Sequence, residues 1–285
     1  MTIGQRGSGL RPTPILHFLT TRFSTERETR SIFLRPSLLG QPMTESISAT
    51  QPLKEPSFWE DLIDIYLQPV AVFRRAERRS VWPPMLFVAL SVGLIFFATF
   101  NTLQPVFEAE FTRNMAKTTA ANPQMTPEML AKGRDIGLAV TRYGITVVML
   151  VTMFLIGTVT WLLGKMVGAR TTFHAALVVA AWAYMPRVLG AVLAGVQGLV
   201  LDPSKLTSQL ALSIGPARFF DPDTTNPLLY QVLGRFDLIT LWVTVLLAIG
   251  VYATGNITKT RAVVFGVLIW VIGSLPMLRA GYMAM

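Results

Sequence analysis

Cysteine is absent from the 285-residue chain, and histidine occurs only at His17 and His174. Without Cys there is no disulfide framework, no thiolate zinc or iron–sulfur ligation and no Cys nucleophile. Two His leave little from which to build a His-based metal site or a Ser-His-Asp arrangement. Charge is scarce too: 14% of residues are Asp, Glu, Lys or Arg, against about 25% in ordinary soluble domains. No HExxH, P-loop, GxSxG or GxGxxG after a strand occurs, and no pair of carboxylates lies inside an apolar run. The last absence argues against an intramembrane aspartyl protease. The chain therefore reads as non-enzymatic, with no catalytic, cofactor-binding or metal-ligating residue to assign and no cofactor expected.

What is present is apolar. The hydrophobic class makes up 52% of residues, including 17 Phe and 6 Trp, and mean hydropathy is +0.49. A soluble monomer of this composition could not cover its apolar surface with charge, so an integral membrane protein is implied. The formal net charge of +9 is accounted for by Lys and Arg flanking membrane spans, and no nucleic-acid partner is expected.

The first 42 residues stand apart, with six Arg, no Lys, two Glu and ten Ser or Thr. Arg-rich and acid-poor composition describes an organellar transit peptide, which would place the protein in an organellar membrane. The simpler account is that translation starts at Met43 and the upstream residues are an over-extended, disordered leader. Residues 43–56 read as a flexible segment. From 57 to 80 an amphipathic helix is expected. Ser57 and Glu60 form a capping-box pair, and Phe58, Trp59, Leu62, Ile63, Tyr66, Val70 and Phe73 recur at helical spacing. Pro69 should kink or divide it. Its basic end, Arg74, Arg75, Arg78 and Arg79, together with Trp59, suits a helix lying on an anionic bilayer surface. The alternative is that the apolar face docks against the bundle.

Five apolar runs follow, at about residues 81–103, 143–164, 171–201, 238–258 and 262–280. A helix of about 20 residues crosses a 30 Å hydrocarbon core, so the expected fold is an all-α bundle of five transmembrane helices preceded by the interfacial helix. The connections at 164–171 and 255–261 are short and basic, whereas 104–142 and 202–237 are long and mixed in sign. Helix starts are legible inside both long stretches, at Thr126-Pro127-Glu128 and at Asn226-Pro227. The four-Arg cluster and the basic short loops place the N-terminus on the cytoplasmic side of the membrane and the C-terminus outside.

Arg187 is the exceptional residue, a charge directly after Pro186 inside the third run. A mid-span charge costs on the order of 3 kcal/mol, so it should find a partner or reach water. Carbonyls freed by Pro186, Gln197 and Asp237 are the candidate partners. The competing account is a helix broken at Pro186 with Arg187 snorkelling at the break.

Three strings carry a resemblance: FWEDLIDIYLQPVAVFRR before the first span, AAWAYMPRVL in the third, and FDLITLWVTVLLAIGVYATGNITKTRAV across the last two. Over Phe58 to Ser274 the chain resembles the Ypt-interacting protein (Yip) family of multispan membrane proteins, in its bacterial branch. The resemblance implies a five-span bundle with a cytoplasmic N-terminus, in a bacterial inner membrane. Eukaryotic members are associated with prenylated small GTPases and vesicle traffic, but a bacterial cell lacks that system, so no GTPase partner is expected. The expected partners are the lipid bilayer and other membrane proteins or a second copy of the chain. The function expected is organisation of membrane lipids or protein partners, with a small-solute permease or transporter subunit as the alternative.

Overall fold

The computed structural model describes residues 57–122 and 124–283. The readings for residues 1–42 and 43–56 lie outside the described residues. The elements described are helical, and five helical stretches are long and apolar enough to cross a membrane: Trp82–Thr119, Pro127–Met166, Phe173–Val200, Leu238–Gly255 and Lys259–Tyr282.

The amphipathic segment forms two helices, α1 (Phe58–Leu67) and α2 (Pro69–Ala76). Ser57 and Glu60 close the capping box in both directions, so two amides at the helix start are satisfied reciprocally. Pro69 cannot donate to the preceding turn, and it opens α2. The apolar face docks on the bundle. Ile65, Val72, Phe73 and Ala76 are buried in the core, Phe58 packs against Phe87 and Trp182, and Tyr66 meets Trp242 edge-on.

Helices α3 (Trp82–Ala121) and α4 (Pro127–Met166) have 40 residues each. At a rise of about 1.5 Å per residue each is about 60 Å long, roughly twice the hydrocarbon thickness. The stretch 104–142 is thus no loose loop but the outer halves of two helices packed together as a hairpin. Thr126 caps α4 through a bond from the Met129 amide. Glu108 accepts from Arg134 of the facing helix and from Gln104 of its own. These polar pairs explain why helical order continues after the apolar run stops.

The third run is divided: α5 (Phe173–Ala183) and α6 (Pro186–Val200) meet at a tight turn over Tyr184 and Met185. The turn preserves continuity, because the Arg187 amide donates to the Tyr184 carbonyl at 2.9 Å and the Val188 amide to the Met185 carbonyl at 3.0 Å. Helix α5 is the centre of the bundle, with Ala175, Ala176 and Val178 to Ala183 all buried. It is touched by α2, α3, α4 and α8. Close approach there needs small residues: a Cβ at Gly250 would stand 2.3 Å from the Val179 side chain, and one at Gly157 would stand 3.1 Å from the Leu177 backbone.

After α6 the chain makes three short 3-10 turns, at Pro203–Lys205, Gln209–Leu212 and Pro216–Phe219. It continues into α7 (Pro227–Gly234), α8 (Leu238–Gly255) and α9 (Lys259–Tyr282). Asn226 caps α7, and Asp237 caps α8. The turn segment is fastened to the hairpin by Arg113, which reaches the Thr207 carbonyl and, at 3.6 Å, Asp223. Glu110 accepts from the amide and side chain of Gln209. Facing outward from the bundle are Leu86, Leu90 and Leu94 on α3 and Val263, Val267 and Val271 on α9. Their spacing makes continuous apolar stripes, as lipid contact requires.

Candidate functional site

The polar side chains of the bundle gather at its long-loop end. A cavity of about 430 Å³ lies there among α3, α4, α6, the turn segment, the α7–α8 junction and α9. Its polar groups are chiefly Arg187, Arg235, Asp237 and Thr240, set in walls that include Phe96, Leu103, Ile145, Leu193 and Ile239.

Asp237 is buried and already engaged. One carboxylate oxygen accepts from the Ile214 amide at 3.0 Å. The other accepts from the Thr240 amide at 2.9 Å and the Thr240 hydroxyl at 3.0 Å. A carboxylate capping a helix start also meets the positive end of the helix dipole, so this acid needs no further cation. Arg187 reaches it only indirectly, by donating to the Thr240 hydroxyl at 3.2 Å. Sequence reasoning had two accounts of Arg187, a carboxylate pair and a helix break. The structure places it one residue past the break and one hydroxyl away from the carboxylate. Gln197 is not brought to Arg187; its amide donates to the Leu212 carbonyl at 3.0 Å.

Arg235, within the long mixed-sign connection 202–237, is a cavity residue that the sequence pattern does not single out. Its Nε donates to Ser274 at 2.8 Å and its Nη2 to the Trp270 carbonyl at 3.3 Å, while the guanidinium lies over the Trp270 ring. Burial, and then the neighbouring charge of Arg187, hold Arg235 below the usual arginine range, against the opposing pull of Tyr184 and Asp237. Its position two residues before Asp237 was the one local signal. Its neighbours Ser274 and Trp270 are 39 and 35 residues further on, a proximity no local pattern could reveal.

At the opposite end, the Arg cluster divides into two pairs. Arg75 donates to both Asp61 and Asp64, and Arg79 donates to Asp61 at 2.8 Å. Asp61 is 1% exposed, so two guanidiniums compensate a carboxylate buried where α1 meets α2. Burial works against the charge of Arg75, but hydrogen bonds and attraction from Asp64 and Asp61 outweigh it and raise its pKa. Arg74 and Arg78 remain exposed. Trp59, Ile63 and Leu67 are also exposed, at 68%, 63% and 72%. Spaced four apart, they form an apolar stripe on the side of α1 that the bundle does not cover.

A bundle with no strand among the described residues, five bilayer-length apolar helices and polar groups at its interior and ends is a multi-pass membrane protein. More particularly, the chain belongs to the Yip1 domain family, whose model matches residues 63–279. It is 26% identical over 217 residues to the membrane protein YknW of Bacillus subtilis (strain 168), covering 73% of this chain and 86% of that protein. No solved structure matches the chain.

Proposed function

We propose that this protein is a non-enzymatic organiser of the bacterial cell membrane, gathering lipids or membrane-protein partners around its bundle. The observation that carries the proposal is the two-sidedness of α1. One face is locked to the core through Phe58, Ile65 and Tyr66, and the other presents Trp59, Ile63 and Leu67 outward. A helix so arranged lies in the bilayer interface, with Arg74 and Arg78 beside anionic headgroups. Arg75 and Arg79 serve chiefly to hold α1 on α2. In this reading the N-terminus is cytoplasmic, the C-terminus is outside, and no cofactor or GTPase takes part. A permease has less support, because below the α5–α6 break the core is filled by buried Ala and Val rather than by a polar path.

The test is extraction of the protein with its surrounding membrane in a detergent-free polymer, followed by mass spectrometry of lipids and proteins. The wild type should show an enrichment that the triple variant Trp59→Ser, Ile63→Ser, Leu67→Ser loses at unchanged melting temperature. A composition identical to that around an unrelated five-span protein would refute the reading.

A further inference from the structure

The cavity at the long-loop end has an electrostatic surplus that the fold itself does not resolve. Arg187 and Arg235 both line it, and they are close enough for the charge of one to depress the pKa of the other. Among the described residues neither has an acid within ion-pairing distance. The single acid in the lining, Asp237, accepts from two amides and a hydroxyl rather than from either guanidinium. The fold thus holds two like charges beside apolar walls, with neutral acceptors supplied by Thr240, Ser274 and the Trp270 carbonyl. Each guanidinium carries five N–H donors, and these acceptors occupy only part of them. Keeping two half-buried cations together beside apolar walls is unfavourable unless anions offset them, and Asp237 alone leaves the cavity with one positive charge in excess.

We propose that this cavity binds a phosphate-type oxyanion carried on an apolar body, clamped between Arg187 and Arg235. Guanidinium groups match the geometry of a phosphate or carboxylate and bond it with charge assistance. The walls, with Phe96, Leu103, Ile145, Leu193 and Ile239, suit a hydrocarbon or glyceryl portion. The Asp237 oxygens are engaged by the Thr240 amide and hydroxyl and by the Ile214 amide, which leaves the guanidiniums without a direct carboxylate partner. A lipid headgroup and a soluble phosphate share the recognised chemistry. The proposal rests on the membrane-organising reading only in taking the bundle as a lipid-embedded binding scaffold.

The experiment uses the full chain in phosphatidylcholine nanodiscs, with and without phosphatidylglycerol, and separately with inorganic phosphate. Melting temperature and retained lipid, the latter by native mass spectrometry, are both read. Phosphatidylglycerol should raise the melting temperature by about 5 °C near saturation. Arg187→Gln and Arg235→Gln should each weaken retention by roughly tenfold or more, the loss of one charge-assisted contact. Gln keeps a donor for Thr240 or Ser274, so the variants should stay folded. Arg187→Lys and Arg235→Lys keep the charge and should recover part of the binding. Stabilisation by phosphatidylglycerol alone identifies a lipid source, and stabilisation by inorganic phosphate alone identifies a soluble one; both support the site if the Gln variants abolish them. No shift with either anion, or a shift that survives in the double Gln variant, overturns the proposal. Anion binding and the partner enrichment tested above read different surfaces, so either can fail while the other stands.

Discussion

Arg187 illustrates how one hydroxyl changes the energetics of a membrane charge. A direct buried ion pair would lose about 3–5 kcal/mol on removal of either partner. Here Arg187 bonds Thr240, and Thr240 bonds Asp237, so the coupling is relayed. Arg187→Leu removes one charge-assisted hydrogen bond, worth about 1.5–3 kcal/mol, but also relieves repulsion with Arg235, so its net cost should fall well below that of a broken ion pair. Asp237→Ala removes the cap of α8 and also strands the Ile214 amide, so it should be the more damaging substitution. Thr240→Val should leave Arg187→Leu with almost no further effect, because both break the same link. Melting temperatures of the single and double variants in nanodiscs measure this directly. Additive losses, or an unchanged melting temperature for Arg187→Leu, would show that the relay carries no energy.

Among the elements, α5 sets the tightest packing requirement. Its Ala- and Val-rich surface lets α4 and α8 approach until Gly157 and Gly250 face it without side chains. Adding a methyl group to such a contact forces neighbours off their rotamers, at about 1–3 kcal/mol. Gly250→Ala should therefore lower the melting temperature visibly, since its Cβ would fall 2.3 Å from the Val179 side chain. Val179→Ala should rescue part of the loss although it creates a small cavity by itself. If the double variant melts no higher than Gly250→Ala alone, the close approach is not what limits this interface. The α1–α2 pair is held differently, by the buried Asp61 carboxylate and two arginines. That joint fixes the angle at which the Trp59, Ile63, Leu67 stripe leaves the bundle.

For the whole molecule, five helices long and apolar enough to cross would, if all cross, leave the two ends of the bundle on opposite sides of the membrane. The short loops near Gly168 and Asn256 pack against each other, with the Arg170 amide donating to the Gly255 carbonyl at 2.8 Å. They therefore share one face. A reporter fused after Met285 should be active only outside the cytoplasm, and reporters inserted in the short loops should behave as cytoplasmic. The natural absence of Cys makes a second check clean: Asp221→Cys should label with an impermeant reagent in intact cells. A cytoplasmic Met285 would reverse the orientation or remove one crossing. Labelling at Asp221→Cys separates the two: reversal would carry the α3–α4 hairpin, whose outer halves extend about 30 Å past the hydrocarbon, and the attached turn segment to the cytoplasmic side, whereas loss of the last crossing would leave them outside.

Local chemistry by itself determined the all-α membrane class, the number of bilayer-length helices, the capping box at Ser57 and the helix starts at Thr126 and Asn226. These follow from hydropathy, length and side chains acting within a turn or two, which a linear pattern records. It also singled out Arg187, because a charge beside a proline in an apolar run stands out without any partner being known. Tertiary structure decided the rest. Continuation of α3 and α4 through 104–142 depends on cross-helix bonds such as Glu108 to Arg134. Commitment of Arg75 and Arg79 to Asp61 depends on the fold-back at Pro69. Arg235 entered the cavity because α9 brings Ser274 and Trp270 to it. Such pairings join residues 14 to 39 positions apart, and their energies exist only once the helices have packed.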